Sequence, residues 1–122
     1  MRRWVLFCAL FVCVACAPPV TIDAQNTAYR VTMTFDERTL GFRSGVLTLT
    51  DTEGTIISDA TVTLTAVMRQ HGMMTPPLAL LSTPAGYTFE KLEINMVGEW
   101  QMLVRVAANE QESVIELPLV FE

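Results

Sequence analysis

From Ala28 onward, apolar and polar residues alternate with a period of two, the mark of strands that bury one face. Tyr29, Val31, Met33 and Phe35 alternate with Arg30, Thr32 and Thr34, and the run breaks at Asp36-Glu37-Arg38. A second strand, about Gly45 to Thr50, sets Leu47 and Leu49 between threonines, before the turn Asp51-Thr52-Glu53-Gly54. A third, Ala60 to Met68, sends Val62, Leu64, Ala66 and Met68 to one side and Thr61, Thr63 and Thr65 to the other. Leu78 to Leu81 predicts a short strand closed by Pro84-Ala85-Gly86. Tyr87 to Ile94 follows, with Tyr87 and Phe89 inward and a register shift near Leu92. Trp100, Met102, Val104 and Val106 line one face of the sixth strand, and Ile115, Leu117, Leu119 and Phe121 that of the seventh. Pro118 lies in the opposite phase, which suits an edge strand. Seven short strands, closely spaced turns and no amphipathic helix predict an all-β, immunoglobulin-like two-sheet sandwich over 28–122.

The first residues follow a different rule. Arg2 and Arg3 precede fourteen uncharged, mainly apolar residues, Trp4 to Ala17. A bilayer-spanning helix needs about 20, so the run describes a secretory leader: basic start, short apolar middle, small residues at the end. Cleavage after Ala17 would leave Pro18 behind the cut, whereas Val14-Ala15-Cys16 resembles a bacterial lipobox, departing from it at Cys13, where leucine is usual. The expectation is a leader over 1–15, a lipidated Cys16 and a tether over 16–27, leading to the sandwich. The protein is then anchored to the outer side of the cell membrane. Plain secretion and an uncleaved anchor are the alternatives.

Charge and cysteine content narrow the function. Beyond the leader, six basic residues face thirteen acidic ones, a net of −7 with histidine neutral. Phosphate contacts need clusters of Lys and Arg, so a nucleic-acid partner is not expected. All three cysteines, Cys8, Cys13 and Cys16, precede the folded region. It therefore has no disulfide, no thiolate metal site and no cysteine nucleophile. Glu90 with Glu93 and Glu110 with Glu112 read as solvated charge, since acid–base catalysis needs a tuned partner in a cleft. The single histidine leaves no Ser/His/Asp order and too few ligands for zinc. The six glycines are scattered rather than gathered in a phosphate loop. No enzyme is expected.

One cluster remains. Met68-Arg69-Gln70-His71-Gly72-Met73-Met74 holds three of the seven methionines and the only histidine. Thioether sulfur and imidazole nitrogen are the neutral donors that suit copper(I), and they suit a compartment where thiols are lost to oxidation. His71, Met73 and Met74 are the candidate ligands on this turn. Met68 and Met96 complete the set if their two connections meet at one end of the sandwich. Against this stands ordinary packing: Met68 and Met96 occupy inward phases, Met73 and Met74 can cap the sandwich end, and His71 can be a solvated turn residue. Met33 and Met102 read as core.

The order Leu47-Thr48-Leu49-Thr50-Asp51, Asp59-Ala60-Thr61-Val62, Met68…His71-Gly72-Met73-Met74, Ala85-Gly86-Tyr87 and Met96-Val97-Gly98-Glu99-Trp100 resembles the YtkA-like domain, a relative of FixH-like proteins. The resemblance spans about Ser44 to Val120 and departs at Arg69, where that family often has Met-Pro. It implies a small exported or membrane-attached immunoglobulin-like sandwich, associated with copper handling or oxidase assembly. A copper-receiving oxidase subunit or another exported protein is then the expected partner. The alternative is a structural or protein-interaction domain whose methionines form a soft contact surface.

Overall fold

The structure is a computed structural model and describes residues 19–122; the leader and Cys16 lie outside the described residues. Ten strands form two antiparallel sheets. The first sheet contains β1 (Val20–Gln25), β2 (Tyr29–Phe35), β3 (Gly41–Asp51), β8 (Gly86–Ile94) and β7 (Leu81–Thr83), in that spatial order. The second runs β10 (Gln111–Phe121), β9 (Gly98–Ala108), β4 (Thr61–Met68) and β5 (Met73–Met74), with β6 (Leu78–Ala79) also on β4. The immunoglobulin-like β-sandwich expected from the alternation is the fold observed. No helix among the described residues is long and apolar enough to cross a membrane.

The inward phase of each strand fills the core. Val31, Met33, Phe35, Leu47, Leu49, Leu64, Met102 and Val104 are buried, with the intervening threonines half-exposed. Phe35 ties the sheets together, meeting Phe89 edge-on at 5.4 Å and Phe121 of the opposite sheet at 5.9 Å. Burying each such side chain contributes roughly 1.5–3 kcal/mol, and without cysteines beyond residue 16 that burial carries the fold. The register shift near Leu92 is a bulge. Arg43 faces Leu92 while Gly45 faces Phe89, so β8 holds one extra residue. Lys91, at φ 60°, absorbs it and returns Leu92 and Ile94 to the interior. Pro118 lies on β10, an edge strand as its missing N–H predicts.

Ten strands stand where seven were expected. One of the extra strands is the two-residue β5 within the expected Met68–Met74 turn, and two further elements differ from the sequence expectation. Residues 20–25 of the expected tether form β1, paired with β2 from Val20↔Phe35 to Gln25↔Arg30. Val20, Ile22 and Ala24 pack inward, a short alternation hidden among polar residues and flanking prolines. The segment read as one strand from Leu78 to Leu81 changes sheets instead. Leu78–Ala79 pairs with β4, buried Leu80 crosses the interior, and Leu81–Thr83 pairs with β8.

The strand directions define two ends. One end gathers the start of β1, the β2–β3 connection, the Arg69–Gly72 turn, the β8–β9 connection and the last residue, Glu122, whose N–H donates to the Arg38 carbonyl at 2.8 Å. The far end gathers the β1–β2, β3–β4 and β9–β10 connections.

Candidate functional site

The methionine cluster is built by a tight hairpin. β4 ends at Met68, and Arg69–His71 make one 3₁₀ turn. Gly72 closes it at φ 61°, φ 61° being a left-handed conformation in which glycine carries no steric penalty, and its N–H reaches the Arg69 carbonyl at 3.3 Å. The chain returns as Met73–Met74, with Met68 opposite Met73 and Val67 opposite Met74. Residues directly opposite in an antiparallel pair project to the same face. Met68 and Met73 therefore face the interior, and Met74 faces outward with Val67.

Burial follows that division. Met68 is 1% exposed, Met73 is half-buried against the core, and Met74 is 70% exposed. Met96, in the β8–β9 connection, is also half-buried against the core. Its carbonyl accepts the indole N–H of Trp100 at 3.0 Å, which fixes that ring. Gly98 opens β9 at φ 133°, a conformation strained for any other residue, and a Cβ there would also press within 2.7 Å of the mobile Met68 methyl. Met68, Met73 and Met96 thus gather on the inner side of one end. His71 is exposed on the turn, and Met74 lies across the strand from the other three. The five expected donors do not share one face, because the two-residue strand after the turn restores alternation between Met73 and Met74.

A different grouping emerges from the surface. A pocket of about 110 Å³ is bordered by Met73, Met74, Glu93, Asn95 and Trp100. Both turn methionines reach it, one from each side of β5. Glu93, Asn95 and Trp100 come from the end of β8 and the start of β9 and were not singled out as site residues from sequence. Trp100 read as core and is indeed buried; Glu93 read as solvated charge and is exposed. Only the hairpin's position in the fold brings them beside the methionines. Their one legible signal was the Met96–Trp100 segment, already marked as part of the family-like pattern. Among the described residues, no three of His, Cys, Asp or Glu are grouped so as to hold a metal.

Met74 also borders a second, larger groove of about 460 Å³ on the outer face of the second sheet, with Thr65, Pro76, Pro77, Leu103 and Val114. Thr75 props the prolines out from the sheet edge: its N–H donates to the Ala66 carbonyl and its hydroxyl accepts the Ala66 N–H, both at 2.9 Å.

The same end holds Arg43, a buried charged residue reaching out of β3. Its Nη1 meets the Glu37 carboxylate, the Asp36 carboxylate at 3.7 Å and the Thr39 hydroxyl at 3.2 Å; its Nε is buried without a partner. Hydrogen bonds from Arg43 and then Thr39 hold the Glu37 carboxyl below its ordinary 4.5. This cluster pins the β2–β3 connection at the same end of the sandwich as the methionine hairpin. No protein-family model, curated protein or solved structure matches the chain.

Proposed function

We propose that the chain is an exported, membrane-tethered binding domain that takes copper(I) as cargo at its methionine end. The observation that carries the reading is the convergence of Met73 and Met74 on one pocket with Trp100. Two thioethers supply soft donors of the kind copper(I) prefers. Trp100 borders the same pocket, and Glu93 adds a negative charge at the rim. Met68 and Met96 stand behind Met73 as further sulfur, while exposed His71 is peripheral. The likeness to the YtkA-like domain supports the same reading, with lipidated Cys16 as anchor and an oxidase subunit or other exported protein as recipient.

The test is anaerobic titration of residues 19–122 with copper(I) against a competing chelator. Trp100 is the only tryptophan beyond residue 4, so its emission reports occupancy of the pocket. The expected result is saturable uptake with quenched emission, lost in Met73→Leu/Met74→Leu and retained in His71→Ala. A wild-type domain that takes up no copper would overturn the reading. Uptake that depends on His71 and leaves Trp100 emission unchanged would move the site to the turn.

A second reading is favoured by the exposure of Met74 and the apolar groove beside it: docking of an exported protein, independent of metal. In that case Leu103→Asp and Val114→Asp weaken partner binding in a domain that shows no copper uptake.

A further inference from the structure

Eight large apolar side chains are markedly exposed in the described structure, and four of them (Leu40, Phe42, Val97 and Val120) lie at or beside the end where the chain enters the sandwich. Only Ile56 belongs to the far end; Met74, Leu81 and Val114 lie along the sheets. Solvated apolar residues scattered singly need no explanation, but a one-ended distribution does.

The length of the connection supplies one. Because β1 begins at Val20, only Ala17, Pro18 and Pro19 separate it from Cys16. Four residue steps span at most about 14 Å. The β2–β3 hairpin projects from the same level. Val20 pairs with Phe35, and Phe35 with Gly45, yet β3 continues four residues further, to Gly41. At about 3.3 Å per residue, that extension reaches roughly 13 Å beyond Val20. The hairpin tip therefore extends about as far as the connection can, and Leu40 and Phe42, at 42% and 63% exposure, stand on it. Val97, at 55%, stands on the neighbouring β8–β9 connection.

We propose that the sandwich stands end-on against the phospholipid bilayer, with Leu40, Phe42 and Val97 seated among the lipid headgroups. The proposal rests on membrane attachment through the leader segment and goes beyond it, because a long tether would leave orientation free and this short one does not. Apolar contact, not charge, makes the interface: Asp36, Glu37, Glu93, Glu99 and Glu122 ring this end against Arg38 and the paired Arg43 and Arg69. Three apolar side chains give only marginal attachment by themselves, so the anchor holds the domain down and the side chains set its orientation. The methionine pocket then opens close to the membrane surface, within reach of an integral membrane partner.

The test is amide hydrogen exchange on the full chain in phospholipid vesicles, compared with residues 19–122 in solution, which contain the whole described core. Exchange is expected to slow several-fold over residues 37–42 and 95–98 and to stay unchanged over 52–56 and 109–111. Leu40→Ser/Phe42→Ser/Val97→Ser, three exposed positions, should remove the slowing while the chain stays on the vesicles. Equal exchange at the two ends of a vesicle-bound chain would overturn the proposal, as would slowing that survives the triple variant. A chain that does not sediment with vesicles would refute the attachment itself and the proposal with it. The copper reading is untouched by any of these results, since its titration uses the leaderless domain.

Discussion

The two ends of the sandwich treat their polar groups in opposite ways. At the far end, Tyr87 reaches from β8 to the β3–β4 connection. Its hydroxyl donates to the Ile57 carbonyl at 2.9 Å and accepts the Ala60 N–H at 3.1 Å. Asp51 closes its own turn by accepting the N–H groups of Glu53 and Thr55, each at 2.9 Å. Asn26 does the same for Ala28 and Tyr29 at 2.8 Å. That end caps its own turns, although a pocket of about 320 Å³ opens there beside Tyr87 and the exposed Ile56. The methionine end buries a guanidinium with one orphan nitrogen, exposes apolar side chains and leaves two thioethers on an open pocket. Side-chain caps fix turns at both ends; the ends differ in the orphan donor and the apolar side chains that only one of them carries in number.

Replacing Arg43 should have the largest effect on this contrast. Arg43→Ala leaves the β2–β3 connection without its pin and two acidic groups without their cation. The carboxylates left behind are partly solvated, so the loss in urea unfolding comes mainly from the buried stem and the freed connection, and should lie near the upper end of the roughly 0.5–3 kcal/mol of single substitutions. A change under about 0.5 kcal/mol would make the cluster a solvated surface pair and remove one side of the comparison. Tyr87→Phe should cost less, about 2 kcal/mol, by orphaning the Ile57 carbonyl and the Ala60 N–H. Its loosening should be confined to the far end in hydrogen exchange, with copper uptake unchanged. The smallest effect concerns pH. Glu37 has a lowered folded pKa, so its contribution is complete above 4.5 and disappears as pH falls through that lowered value. Acid unfolding should therefore show a stability loss below pH 4.5 that Glu37→Gln lacks.

Much of the fold was legible in the sequence because burial on one face forces alternation. The inward sets of β2, β4, β9 and β10 could be named residue by residue, as could the edge position of Pro118. The bulge in β8 was visible as two successive polar residues, Glu90 and Lys91, ahead of Leu92. β1 was not, since Val20, Ile22 and Ala24 are a small apolar set among polar residues, and only pairing with β2 makes them a strand. The crossing at Leu80 was hidden for a related reason: four residues carry no mark of which sheet each half will join.

The candidate site was legible only in part. Methionines crowded around a histidine can be seen in a line of text. That Met73 and Met74 fall on opposite sides of a strand depends on a turn closing at Gly72 and a two-residue ladder resuming beyond it. That Glu93, Asn95 and Trp100 stand beside them depends on contacts between segments about twenty residues apart or more, which no local pattern encodes.

The 70% exposure of Met74 has a chemical cost. Oxidants convert an accessible thioether to its sulfoxide, and this side chain would be attacked well before buried Met68. The new oxygen is a hard, polar donor where a soft one stood, and it would wet both the pocket and the groove that Met74 borders. A single oxidised atom could thus silence this end of the molecule while leaving the core intact, until a reductase restores it.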